Sequence, residues 1–306
     1  MPDTPAVAAL AIAPPSDTAA QSAGTARGFW RAVWTDRGGQ IAVCFLALLA
    51  LLALIAPIIA PFDPDRLLGP ETLKSLPPSS TYWFGTDPLS RDVFTRLLFG
   101  TRISLRIALL AASLSGVVGL AWGATAGFMG GAVDAVLMRT VDMCLAIPRV
   151  LLVLTVIALW PEVTVTGLVL VLGLTGWFGV SRLARAEALG VRHRDFVSAA
   201  RALGVSRAAL LVRHVVPHAL GPVLVASTVA VGHVLVLEAG LTYLGLGVRP
   251  PTATWGSIIA EGRETMQVTW WLTVFPGLAL IGTSLAVTAI ANRLRAAINP
   301  RQLPRR

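Results

Sequence analysis

Long stretches without a single charge constrain this chain more than any other feature. Residues 41–60, IAVCFLALLALLALIAPIIA, are apolar throughout and end at the breaker Pro61–Phe62–Asp63–Pro64. A helix needs about 20 apolar residues to cross the hydrocarbon of a bilayer, and it is the only open segment that satisfies its own backbone there. Further runs of that length cover 107–133, about 136–160 with Arg139, Asp142 and Arg149 inside it, about 163–181, about 219–246 with His233 and Glu238, and about 268–292. Six spans follow, and with them an all-α polytopic membrane protein. Composition agrees: 13% of the 306 residues are charged and 55% hydrophobic, whereas soluble domains carry about a quarter charged. A soluble enzyme, a disordered chain and a disulfide-stapled secreted domain are thereby excluded.

Charge placement predicts the orientation. Residues 1–26 contain no Lys or Arg, so they lack the basic start of a signal peptide and read as a disordered tail. Arg27, Arg31 and Arg37 precede the first span. With the N-terminus cytoplasmic, the arginine-rich segment 182–213 and the tail Arg293 to Arg306 also fall in the cytoplasm, as the positive-inside rule demands. The 62–103 and 247–267 segments, each with balanced charge, then face outward. The net charge of +9 therefore speaks for cytoplasmic loops and anionic lipid rather than nucleic acid. Cys44 and Cys144 lie in apolar runs and have no metal-site spacing, so no metal is expected.

Three features inside the spans invite a reading. Gly119, Gly123 and Gly127 repeat every four residues after Gly116, a flat face for close helix packing. Arg139, Asp142 and Arg149 are spaced by three and seven, which suggests an ion pair within one helix. His233 and Glu238 lie in span five, off one strict face. A charge at membrane depth costs ~3 kcal/mol on insertion scales, so Glu238 must face protein or a watery cavity. Both residues are candidates for a translocation pathway.

The segment between spans four and five, RHRDFVSAARALGVSRAALLVRHVVPHALGP (192–222), is more than a connector. It reads as a helix from Asp195 to Leu203, ended by Gly204 as a left-handed cap. Ser206 then caps a second helix, with Val205 and Leu210 at staple positions. Pro217 and Gly221–Pro222 are expected to stop this helix before span five.

That segment resembles the signature loop of bacterial ABC-importer permeases, usually E-A-A-x-x-x-G with I-x-L-P nine residues on. Here Ser198, Ala199, Ala200 and Gly204 are followed by Arg213 to Pro217. Ser198 replaces the family's common glutamate, and His214 stands at a position where the peptide-importer branch often has histidine. FGTDPLSRDVFTRLLFGTRISL (84–105) is similar to the G-T-D-x-x-G-R-D segment of the second permease subunit of dipeptide and oligopeptide importers, with Ser90 for a glycine. LEAGLTYLGLGVRPPTATWGSII (237–259) and INPR (298–301) resemble later segments of the same subunits.

The resemblance implies a type I ABC importer permease fold in a bacterial inner membrane, with cytoplasmic termini. It divides the chain into a tail (1–40), a first transmembrane helix (41–61), an extracytoplasmic segment (62–101), a core (102–293) with a coupling loop at 183–218, and a basic tail (294–306). It further implies a second permease subunit, two cytoplasmic ATPases and an extracytoplasmic solute-binding protein. Ser198, Ala199, Ala200, Arg201, Gly204, Arg207, Arg213, His214 and Pro217 would form the ATPase-coupling loop. Gly85, Thr86, Asp87, Arg91 and Asp92 would form an outer-loop motif that folds the loop or docks the binding protein. No phosphate-cradling G-x-x-x-x-G-K-S/T loop is present, so ATP and Mg are expected on the partners and no catalysis here. An ion-gradient-driven transporter, which calls for inverted repeats or broken spans with paired charges, and the same permease role for nickel chelates stay open as alternatives.

Overall fold

The computed structural model describes residues 34, 36–64, 67, 69, 73–160 and 163–298. Residues 1–33 and 35 of the tail expected at 1–40, and residues 299–306 of the basic tail, lie outside the described residues. Among the described residues the architecture is helical, with only an isolated bridge between Thr86 and Asp92. Helices α1 (Arg37–Ile59), α2 (Val93–Met129), α3 (Gly131–Leu145), α4 (Arg149–Ala158) and α5 (Val165–Arg192) come first. They are followed by α6 (Asp195–Ala202), α7 (Arg207–Leu210), a π-helical turn (Leu211–Val215), α8 (Val216–Tyr243), α9 (Trp255–Glu261) and α10 (Trp271–Ile298). Five of these segments are long and apolar enough to cross a membrane, or six if the bent pair α3–α4 counts as one span, so the expected six are reached only with that pair.

The glycine face of α2 sets the centre of the bundle. A Cβ on Gly119 would lie 2.7 Å from the Val180 side chain. One on Gly123 would lie 2.9 Å from Ala184, and one on Gly127 2.9 Å from Ala188. Only glycine lets the two backbones approach this closely, and between helices in lipid such van der Waals contact is the main driving force. α8 packs against both α2 and α5, and α10 packs on α8 and α1. The main core runs from Ile107, Ala111, Leu168 and Leu172 to Val234, Leu235 and Trp255. α1 lies at the outside, with Leu48, Leu51, Leu54 and Ile58 exposed as a lipid-facing surface.

Four expectations are corrected. The first helix starts at Arg37, not 41, because Asp36 accepts from the Gly39 N–H at 3.1 Å and caps it there. α2 begins at Val93, well before 107, capped by Asp92, so the boundary drawn at 101/102 falls inside a helix. The third span is not one helix. Its two parts meet at 79° across Ala146–Ile147–Pro148, because proline fixes its φ, lacks an N–H and steers the preceding residue out of the α region.

The fourth correction concerns Pro217, which does not end the helix that leads into span five. Arg207–Tyr243 runs through as one long element. The π turn before Pro217 is the reason. The Val216 N–H reaches five residues back to Leu211, so the wider turn absorbs the crowding and missing donor that proline brings. The 247–267 segment is also more than a loop, since it carries α9, closed by a capping box between Thr254 and Ser257.

Candidate functional site

The 195–217 hairpin sits at one end of the bundle and is built by local chemistry. α6 ends in a Schellman motif: the Gly204 N–H donates to the Arg201 carbonyl at 3.0 Å, and the Val205 N–H to Ala200 at 3.1 Å. Gly204 takes φ +83°, a left-handed conformation that costs a residue with a Cβ roughly 1 kcal/mol or more. Ser206 Oγ accepts from the Ala209 N–H at 3.3 Å and starts α7. The cap residues expected from the sequence take their expected places.

One face of the hairpin is a plug. Val197, Leu210 and Val215 are fully buried against Ala124 and Phe128 of α2 and Ala188 and Val191 of α5. Burying three such side chains favours the docked hairpin by several kcal/mol at ~2 kcal/mol each, which ties it to the ends of α2 and α5. The other face is open. Ser198, Ala199, Arg201, Gly204 and Arg207 are exposed, Ala200 is half-buried, and Leu203 at the tip is 84% exposed. Arg213 and Pro217 are exposed on the flank.

His214 and His218 face the Phe196 ring, each with centroids 5.8 Å apart, and His218 Nδ1 lies 2.6 Å from the His214 carbonyl oxygen. Among the described residues, Arg201, Arg207 and Arg213 take part in none of the ion pairs, which involve other arginines.

Neighbouring charges at this end are tied across helices. Arg185 of α5 holds Asp134 of α3 with paired bonds of 2.6 and 2.7 Å. Arg182 holds Asp142 at 2.6 Å, and Arg293 of α10 reaches Asp36 ahead of α1. The ion pair expected within span three is therefore not formed. Asp142 turns to α5, and Arg149, beyond the break, donates from Nη2 to the Leu172 carbonyl at 2.9 Å. The bend at Pro148 takes Arg149 off that face, while Asp142, which shares α3 with Arg139, is bonded to Arg182 instead.

The outer-loop motif lies at the opposite end and folds the loop. Thr86, Asp87, Arg91 and Asp92 are buried, and Gly85 has φ +76°. Thr86 Oγ1 donates to the Leu73 carbonyl at 2.6 Å and accepts from the Leu76 N–H at 2.8 Å. Its own carbonyl accepts from Trp271 Nε1 at 3.1 Å. Asp87 accepts from Arg91 Nε and Arg96 Nη1, both at 2.6 Å.

Glu261 on α9 closes the network, bonding Arg91 at 2.9 Å and Arg96 at 2.9 Å. Two acids and two arginines so balance in a largely dry site, where each charge needs its partners. Arg96 and Glu261 were not anticipated as partners. Their separation of 165 residues leaves no local signal.

The pathway candidates separate in space. His233 is exposed and lines an apolar hollow of about 350 Å³ with Val236, Leu237 and Gly240 of α8, Leu244 just past its end, and Val150 of α4. Glu238 is 1% exposed, turned into the core, and accepts from Thr242 Oγ1 at 3.0 Å. No group of three or more His, Cys, Asp or Glu placed to hold a metal occurs among the described residues.

Residues 119–303 match the family described as binding-protein-dependent transport system inner membrane component. Residues 25–78 match the N-terminal TM domain of oligopeptide transport permease C. The oligopeptide transport system permease protein OppC of Bacillus subtilis is 33% identical over 269 residues, 87% of both chains. A probable D,D-dipeptide transport system permease protein, DdpC of Escherichia coli, is 32% identical over 88% of this chain and 90% of its own. The dipeptide permease DppC of Haemophilus influenzae is 32% identical over 89% and 94%.

Proposed function

Because the chain belongs to the family of binding-protein-dependent transport inner-membrane components, we propose that it is the second permease subunit of an ABC importer for di- and oligopeptides. Its relatives' roles in peptide transport support the substrate class. A partner permease completes the pathway, two ATPases bind at the hairpin end, and a solute-binding protein delivers peptide at the other. The hairpin end faces the cytoplasm with both termini, where the arginine excess belongs. The chain catalyses no reaction, and ATP and Mg stay on the ATPases.

The observation that carries this reading is the two-faced hairpin. Its inner face is plugged into α2 and α5, while its outer face presents Leu203, small residues and arginines without acidic partners. Ser198, Ala199 and Ala200 let a partner groove approach, and Arg201, Arg207 and Arg213 meet its acids. When the ATPases close on ATP, the hairpin passes their displacement to α5 and α8 as a rigid lever, and the bundle switches between its two open states. His233 lines the pathway on the exposed α8 face, and Glu238 behind it fixes the wall through Thr242. The outer-loop network keeps the receiving face in shape for the binding protein.

Reconstitution tests the reading. The four membrane and ATPase subunits in proteoliposomes, with the binding protein outside, take up labelled tripeptide only with ATP inside. Uptake that follows an ion gradient without ATP overturns it.

A further inference from the structure

The break in span three leaves Arg149 at membrane depth with no counterion among the described residues. Arg149 contacts α5 at Leu172, and Gly176 lies against its guanidinium: a Cβ on Gly176 would be 2.9 Å from Nη2. Leu172 is seven residues, about 10 Å, in from the Val165 end of α5, and ten residues, about 15 Å, from Arg182 on the other side. The guanidinium therefore lies near the middle of the hydrocarbon layer, where an ionisable residue marks function by default.

The acids of the neighbouring spans are engaged elsewhere: Asp134 with Arg185, Asp142 with Arg182, and Glu238 with Thr242. Arg149 bonds only a neutral carbonyl, and its Nε is buried without a partner. Its place in α4 adds to the mismatch. A positive charge stands in the first turn of a helix, where the backbone dipole favours an anion. The side chain is only half-buried, and the next residue, Val150, lines the hollow that His233 and Gly240 share. A broken span that aims a half-helix at a cavity is how many transporters hold an anionic solute group.

We propose that Arg149 receives the carboxylate of the transported peptide as it crosses the bundle. This rests on the reading of the chain as a peptide permease. The planar guanidinium can offer a carboxylate paired N–H donors while Nη2 keeps its bond to Leu172. The bond to Leu172 holds the fork in place before substrate arrives.

The test uses the full complex in proteoliposomes with its binding protein saturated, and measures uptake of labelled trialanine and of its C-terminal amide. Arg149→Gln keeps a donor for the Leu172 carbonyl but no charge, and Arg149→Lys keeps the charge. Because the receptor is unchanged, its own preference cancels when each variant's acid-to-amide uptake ratio is divided by the wild-type ratio. The expected result is a fall of about tenfold in that ratio for Arg149→Gln, the size of one charge-assisted hydrogen bond, and little change for Arg149→Lys. Equal loss for acid and amide, or no loss for either, overturns the proposal and leaves the peptide reading intact. A glutamine variant that fails to assemble while the lysine variant behaves as wild type assigns the charge to packing or to the second permease, and also overturns it. A wild-type complex that moves neither form overturns the peptide reading itself, and the proposal with it.

Discussion

Replacing Gly204 separates backbone strain from contact at the hairpin tip. Gly204 sits at φ +83°, and a Cβ there would meet nothing within 4 Å. Alanine therefore introduces no clash inside the protein, and its cost is conformational, about 1–2 kcal/mol for a left-handed residue with a Cβ. That energy favours unwinding the Schellman motif, whose bonds to Arg201 and Ala200 carry the turn. Since 1.4 kcal/mol is a factor of ten, the hairpin geometry loses about five- to thirtyfold in weight. Asparagine tolerates this region far better than most residues, and a β-branched residue tolerates it worst.

The expected order of peptide-stimulated ATP hydrolysis and uptake in proteoliposomes is thus glycine, then Gly204→Asn, then Gly204→Ala, then Gly204→Val. The thermal midpoint of the isolated subunit should move by only a few degrees, because the buried plug of Val197, Leu210 and Val215 is untouched. An asparagine variant as inactive as valine would refute the strain argument and show that side-chain bulk at the tip decides. Full activity in all four would remove the hairpin geometry from coupling altogether.

Other perturbations read other parts of the structure. Gly123→Ala forces a methyl into the Ser181 backbone and within 2.9 Å of Ala184, so α2 and α5 must separate at a cost of about 1–3 kcal/mol. A lowered melting point in detergent checks it, and an unchanged one means the helices do not touch there. Asp87→Asn strips the buried acceptor shared by Arg91 and Arg96 and should cost about 3–5 kcal/mol, visible as proteolysis of the 73–92 loop. Glu261→Gln should cost less, because its side chain is 25% exposed and both arginines keep Asp87 as a counterion. Pro148→Ala restores a donor and the α region at the break, so spin labels on Val136 and Leu154 should report a bend smaller than 79°.

Much of this was legible because lipid is a demanding solvent. Runs of apolar residues near 20 long had to be spans, and the turn chemistry at Gly204 and Ser206 is local, so both could be read directly. The four-residue glycine repeat likewise announced the α2–α5 contact without naming its partner. Proline was the harder case. Pro148 broke a span drawn as continuous, while Pro217 failed to break one, because the outcome depends on whether the neighbouring backbone can widen into a π turn. The ion pairs were invisible for another reason. Asp142 chose Arg182 over its own helix, and Glu261 found Arg96 across the fold. Only tertiary packing decides which charges meet.

The proposed coupling requires that the ATPases bind at the hairpin's outer face. A photo-cross-linking residue at Leu203, 84% exposed at the tip, tests this directly in the assembled complex. The predicted result is an adduct with an ATPase subunit that changes in yield when ATP is added. An adduct with the binding protein, or with lipid alone, would contradict the account.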